Sequence, residues 1–375
     1  MKVLYDYPSF IPEYGGVPRY LCEVIKELHG DVEIELSVLY SDNVYRKQLT
    51  FLKNRRSFTR LKFRGRARVE GAINLAYSSW KILSNHYDLF HATYNNTFDF
   101  GISNASYFRF VRKPFVVTIH DMIYEHAPHR EQYARNIESK RRLIYGADHI
   151  IAVSENTKKE ILKFYPVDPQ KITVIYHGTS GPIPAASPRN EWGKYLLYVG
   201  RRSPYKNFPL FVRAVAPLLG ADRQLQLVCV TSPFTPEEDR LFSDLGIAGQ
   251  VRAVGVPDDA LNALYQHALA FVFPSLDEGF GIPILEAYQN NCPVCLSDAS
   301  CFPEIAGNAA EYFDPRDEVS IREAVSKVIG DPGRATELRR LGRERVTLFS
   351  WKTAARQTLE VYRRVQSSKK KVHES

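Results

Sequence analysis

The chain has 375 residues and a mass of 42.9 kDa, enough for two domains at roughly 150 residues each. Its 44% apolar and 25% charged residues exclude disorder and collagen-like order, and no apolar run reaches the roughly 18 residues of a membrane-spanning helix. The net charge of +8 is local, because Asn43 to Val69 holds ten Lys/Arg and no acid.

Apolar runs of strand length recur in chain order, separated by segments of helix length. In the first half they are Val3–Tyr5, Ile34–Tyr40, Leu89–Thr93, Phe115–Ile119 and Ile150–Val153; in the second, Ile172–Tyr176, Tyr195–Val199, Leu225–Val230, Val251–Val254, Leu269–Phe273 and Val294–Leu296. Such runs, without strict alternation, predict strands buried on both faces, hence parallel sheets covered by helices. A Gly/Pro/Ser-rich stretch over 178–193 marks a linker. The expectation is an α/β protein of two doubly wound, Rossmann-like domains across a cleft. They span 1–180 and 181–350, and a C-terminal helix over 351–375 with a basic tail is expected to cross back to the first.

In such sheets ligands lie beyond the carboxyl ends of strands, and the informative residues follow the apolar runs. Gly15 and Gly16 precede an amphipathic helix carrying Arg19; that pair suits either a structural turn or a phosphate near free N–H groups. The basic stretch comes next: Arg46, Lys47, Lys53, Arg55, Arg56, Arg60, Lys62, Arg64, Arg66 and Arg68, interleaved with Phe51, Leu52, Phe58, Leu61 and Phe63. It suits an anionic membrane or a phosphorylated acceptor, and also reads as a solvated loop or a nucleic-acid contact. His120 and Asp121 close a strand, and Ser154 reads as a helix N-cap. Gly200, Arg201 and Lys206 combine a turn with two cations, as a diphosphate requires.

The richest segment runs from Phe273 to Ala287. A Gly-rich loop carries Glu278, Pro283 suits the first helical turn, and Glu286 is read as lying in that same turn, where it either complements the helix dipole or binds hydroxyl groups. The five cysteines, Cys22, Cys229, Cys292, Cys295 and Cys301, are too few and scattered for a disulfide framework. Cys292-Pro-Val-Cys295 lacks a nearby fourth ligand for zinc.

Glu278-x7-Glu286 within Glu-Gly-Phe-Gly-x-Pro-x-Leu-Glu-Ala resembles the signature of the retaining glycosyltransferase family 4, which has the GT-B fold of two Rossmann-like domains. Gly15-Gly16, His120-Asp121, Ser154-x-x-Thr157, Gly200-Arg201 with Lys206-Asn207, Leu264-Tyr265 and Pro303-Glu304 match in order, over essentially the whole chain. Thr231-Ser232-Pro233 and His177 depart from the usual pattern. The resemblance implies that Gly15, Gly16 and Arg19 meet donor phosphate or sugar and that Gly200, Arg201 and Lys206 hold the diphosphate. It further implies that Gly279, Phe280, Gly281 and Ile282 present amides, that Glu278 bonds sugar hydroxyls and Glu286 the ribose, and that His120 lies beside the reacting carbon. The catalytic set is then His120, Glu278, Arg201 and Lys206, and Arg55, Arg56, Arg60 and Lys62 form the membrane or acceptor patch. No Asp-x-Asp occurs, so metal-independent transfer is expected, with no cofactor. The donor substrate is a nucleotide-diphosphate sugar, GDP-mannose first and UDP-hexose next, and the acceptor a glycan or lipid-linked glycan of the cell surface, as in bacterial polysaccharide and O-antigen mannosyltransferases. Met1–Asp6 and Pro8 lack the apolar run of a leader, which places the expected protein in the cytoplasm or peripherally at the inner membrane face. Competing classes are a GT-B epimerase or phosphorylase, and a non-catalytic glycan- or nucleic-acid-binding protein.

Overall fold

The computed structural model describes residues 1–52, 65–93, 108–179, 192–256 and 258–374. The chain divides into two compact units, Met1–Gly178 with Ser350–Ser375, and Thr179–Phe349. Among the described residues each contains one six-stranded sheet, and every strand pairing is parallel.

Unit one contains β1 (Lys2–Tyr5), α1 (Gly16–Leu28), β2 (Glu33–Leu36), α2 (Arg66–Ser84), β3 (Leu89–Ala92), β4 (Phe115–Ile119), α3 (Ala134–Gly146), β5 (His149–Ala152), α4 (Glu155–Phe164) and β6 (Ile172–Val174). The spatial order is β2-β1-β3-β4-β5-β6. Strands β3, β4 and β5 are buried along their whole length, which is why they read as mostly apolar runs without alternation. In α1, Leu21, Val24, Ile25 and Leu28 recur at helical spacing and are all buried.

Unit two contains β7 (Lys194–Val199), α5 (Phe208–Ala221), β8 (Leu225–Val230), β9 (Val251–Val254), α6 (Asp258–His267), β10 (Ala270–Phe273), α7 (Ile282–Gln289), β11 (Val294–Ser297) and β12 (Glu311–Phe313). Here the order is β12-β11-β10-β7-β8-β9. Two strands differ from expectation. The run at Ile172 belongs to the first sheet, where Ile150, Ile151 and Ala152 of β5 pair with it. Strand β12 is three residues beginning on Glu311, too short and polar to register as an apolar run.

The C-terminal helix (Trp351–Glu374) packs within unit one. Trp351, Ala354, Ala355, Val361 and Tyr362 are buried in its core. The Tyr362 hydroxyl shares hydrogen bonds with the Tyr5 hydroxyl at 2.7 Å and with His91 Nδ1 at 2.5 Å, which fixes the helix's register by geometry as well as apolar area.

Gly178 shows how closely the returning chain approaches. A Cβ there would lie 2.0 Å from the Trp351 backbone nitrogen and 2.3 Å from the Ser350 carbonyl carbon. Neither atom can rotate away, so Gly178→Ala should cost about 3 kcal/mol or more. Gly220→Ala, near the end of α5 with nothing within 4 Å, should instead stabilise, by up to about 1 kcal/mol. Equilibrium denaturation of the two variants checks both signs, and equal stability would show that the chain yields at Gly178.

Candidate functional site

A parallel sheet whose strand order reverses leaves a crevice beyond the carboxyl ends of the two strands flanking the reversal. In unit two the reversal lies between β7 and β10, which pair directly. The loops leaving these strands carry Gly200, Arg201 and Lys206 on one side and Glu278 to Gly281 on the other. They are tied together: the Leu276 N–H donates to the Tyr205 carbonyl at 2.7 Å, and Lys206 Nζ lies 2.5 Å from Glu278 Oε1, each side chain 13% exposed. The Lys206 ammonium also sits 5.0 Å from the centre of the Phe273 ring. Sequence reading gave the two residues separate tasks; the fold makes them one partly buried ion pair.

The backbone under Glu278 is fixed by Ser300, whose hydroxyl accepts from the Glu278 N–H at 3.1 Å and lies 2.7 Å from both Asp277 Oδ1 and the Glu278 carbonyl. Gly281 caps α7 with φ +91°, and a Cβ there would come within 2.9 Å of Ile284 Cδ1 and 3.2 Å of Phe302 Cε1. Gly279 and Phe280 are buried, Phe280 edge-on to Phe349 at 5.9 Å. Ile282 opens the helix. Glu286 is corrected from its expected place: the first turn of α7 holds no acid. Glu286 lies one turn further on, is buried, and accepts a hydrogen bond from the Tyr265 hydroxyl at 3.0 Å. That removes the helix dipole as the reason for this carboxylate.

Arg201 is exposed, whereas Arg202 is a structural brace. The Arg202 guanidinium lies 2.5 Å from Glu238 and donates to Thr231 Oγ1 and to the Ser232 and Pro233 carbonyls. The departure Thr231-Ser232-Pro233 is therefore what Arg202 holds in place.

In unit one the reversal lies between β1 and β3. Gly15, with φ +153°, precedes Gly16 at the start of α1, and Arg19 in the first turns is half-buried. One residue further, the Tyr20 ring stands 5.1 Å edge-on to His120 and 4.6 Å from His177. Trp351 lies 5.7 Å from His177. Below them His91 Nε2 shares a hydrogen bond with Thr118 Oγ1 at 2.9 Å. Burial pushes His120 down to about 4 and His91 down to about 3, and holds His177 well below the usual imidazole range. His120 is thus a neutral imidazole. Behind it, buried Lys140 donates to the Asp121 carbonyl and to Glu125 Oε2, both at 2.8 Å.

The basic stretch is not one cationic face. Arg46 is buried and donates to the Val38 carbonyl at 3.4 Å; Arg66 is paired with Asp42 and Glu70. Lys47 and Arg68 are exposed, while Arg55, Arg56, Arg60 and Lys62 lie outside the described residues. All five cysteines are free and buried, and burial pushes the Cys292 thiol up to about 12.

Residues 14–180 match the family described as Glycosyltransferase Family 4, and residues 181–345 match Glycosyl transferases group 1. The chain belongs to glycosyltransferase family 4. This glycosyltransferase is 34% identical over 181 residues to the O-antigen chain mannosyltransferase RfbU of Salmonella typhimurium, covering 48% of this chain and 50% of the relative. It thus spans half the length of that relative. It is 26% identical to the O-antigen chain mannosyltransferase B of Escherichia coli, over 97% of this chain and all of the relative. Its fold is that of sucrose-phosphate synthase from Thermosynechococcus elongatus, with TM-score 0.74 at 19% identity over 98% of this chain and 99% of the other. Anabaena HepE in complex with UDP-glucose gives 0.70 at 18% identity, over 96% and 99%.

Sequence reading of the glycosyltransferase missed Ser300, whose φ of +55° has no strong sequence signal. It also missed Tyr5 and His91, polar groups inside apolar runs, and Tyr362, on the buried face of the C-terminal helix. These buried histidines give a pH signature. In the unfolded chain each takes a proton near 6.5, whereas the folded protein keeps His120 neutral to about 4 and His91 to about 3. The unfolded state therefore binds more protons in that window, and stability must fall as pH drops from about 6.5 towards 4. The melting temperature of His91→Gln, measured against pH beside the parent, should fall less steeply across that window. Parallel curves would show that His91 titrates normally.

Proposed function

We propose that this glycosyltransferase moves a hexose, mannose first, from a nucleotide-diphosphate sugar to a growing glycan or lipid-linked acceptor of a cell-surface polysaccharide. The observation that carries this reading is the Lys206–Glu278 pair at the strand-order reversal of unit two, a cation for a diphosphate beside a carboxylate for sugar hydroxyls. The mannosyltransferase relatives support mannose and GDP-mannose as the first donor, with a UDP-hexose second.

The proposed chemistry retains the anomeric configuration. The bond from the anomeric carbon to the diphosphate oxygen breaks, and its electron pair leaves with the nucleotide. The acceptor oxygen attacks from the same face, and its proton passes to the departing phosphate. Arg201, Lys206 and the amides from Gly279 to Ile282 take up the developing charge, a preorganised role worth about 2–4 kcal/mol per donor removed. Gly15, Gly16 and Arg19 are assigned to phosphate or sugar, and Gly200 lets the first loop turn beneath Lys206. Glu286, oriented by Tyr265, is assigned to the ribose, and His120, neutral by burial, to a sugar hydroxyl. No metal is needed for this charge balance.

Glu278→Gln should lower turnover more than tenfold while the protein stays folded, because its hydrogen bonds strengthen as the sugar gains charge. Arg201→Ala and Lys206→Ala should each weaken donor binding and slow transfer, and EDTA should leave the rate unchanged. A folded Glu278→Gln with normal turnover, or a strict metal requirement, would sink the assignment. Thermal shift with a panel of nucleotide sugars identifies the donor by the largest rise in melting temperature.

A further inference from the structure

Among the described residues Lys140, on α3, is the only buried lysine, at 2% exposure. Taking an ammonium out of water is costly, and apolar side chains of similar size commonly replace a buried ion pair without loss of stability. Stability alone therefore does not account for this lysine. Its ammonium faces the turn that leaves β4: Nζ donates to the Asp121 carbonyl and to Glu125 Oε2, both at 2.8 Å, and lies 3.7 Å from Asp121 Oδ1. Glu125 is buried too, and its other oxygen accepts from the Tyr165 hydroxyl at 2.9 Å. Tyr165 caps the C-terminal end of α4. One ammonium thus joins three elements: the turn after β4, α3 and the end of α4.

His120 stands between two fixed points. On one side Ile119, the last residue of β4, pairs with Ala152 of β5. On the other, Lys140 holds the Asp121 carbonyl, and Asp121 Oδ1 accepts from the Ile123 N–H at 3.3 Å. Past Ile119 the ladder no longer dictates where the chain goes. The path of the backbone that carries the imidazole is then set by the ammonium one residue further on. An apolar side chain in place of Lys140 would fill the same space but could not hold a carbonyl. The charge also reaches the ring. Burial is the main reason that His120 stays neutral; Asp121 opposes it, and the Lys140 charge adds to it.

We propose that Lys140, with Glu125 and Tyr165 behind it, is a positioning residue for transfer: it holds the Asp121 peptide so that the His120 imidazole is presented to the donor sugar. This rests on the assignment of His120 to a sugar hydroxyl and adds to it three residues that act from behind the ring.

The test is nucleotide release from the nucleotide sugar that stabilises the parent most, followed over a range of donor concentration so that kcat and KM separate. Lys140→Met with Glu125→Gln removes both charges together and leaves neither unpaired, so the melting temperature should hold. Its kcat should fall at least about tenfold, since a misplacement of about 1 Å costs about a hundredfold, at unchanged donor KM and unchanged donor-induced thermal shift. Tyr165→Phe removes a single hydroxyl and should lower kcat about threefold, which gives a reading even where the double variant does not fold. His120→Ala is measured beside them. Placed in the His120→Ala background, either change should alter kcat by less than about twofold, because a residue that works through the imidazole then has nothing to position. Parent-like kcat in the folded double variant or in Tyr165→Phe overturns the proposal, and so do losses that simply add to that of His120→Ala. If His120→Ala itself keeps the parent's kcat, the assignment of His120 fails and the positioning role with it. A loss in His120→Ala with none in the Lys140 and Tyr165 variants faults the positioning alone.

Discussion

Parallel strands cannot be joined by hairpins, and the rest of this protein depends on that constraint. Each added strand returns through a crossover, so only where the strand order reverses do two neighbouring strands send their chains away on opposite sides. The chain has one such place in each sheet and uses them differently. Between β1 and β3 it closes the gap with hydrogen bonds: Asp6 Oδ1 accepts from the Thr93 N–H at 2.7 Å, and the Ser9 hydroxyl donates to the Thr93 carbonyl. Between β7 and β10 it sets Lys206 against Glu278, a partly buried pair that satisfies its own charges. The polar groups of the first gap bond to each other across it, and those of the second form an ion pair between two loops.

This difference explains which parts were legible in the sequence. The unit-two loops are contiguous, since a strand, a turn, a glycine with positive φ and a helix start follow one another within about fifteen residues. Local chemistry identifies them without tertiary information, and β7, β8, β9 and β10 were located to within a residue. The network under His120 has no such locality. Tyr5 and Tyr362 are 357 residues apart in sequence and share one hydrogen bond; Tyr5 reads as one more hydrophobic residue of its apolar run, and Tyr362 as one more apolar position of a helix. Glu286 sits between these cases: its position was found, but its environment depends on Tyr265, a helix away, and only the fold supplies that partner.

Charge was the least legible property, because composition counts cations without saying what each one meets. Arg46 is buried against a carbonyl, Arg66 is shared by two acids, Arg202 stitches a loop through four partners, and Lys140 lies in the interior beside Glu125. Arg201, next to Arg202 in sequence, is exposed. Guanidinium geometry accounts for part of this: a planar fork with five donors can satisfy several carbonyls at once, which an ammonium cannot. Adjacent identical residues therefore diverge according to whether acceptors lie within reach.

The closure of unit one by its own last helix has a consequence for the histidines. Trp351 and Tyr362 come from the far end of the chain, yet they supply one wall of the aromatic cluster and the partner of His91. Removing water from that cluster is what keeps His91, His120 and His177 neutral. Without the helix, the same imidazoles would be solvated and free to protonate near 6.5. Unit one therefore acquires its characteristic electrostatics only when this helix is in place. The tight passage at Gly178, where the chain after β6 runs against the Trp351 backbone, is the steric condition for that closure. Gly178 thus bears on the state of His120 through the helix whose close approach it permits.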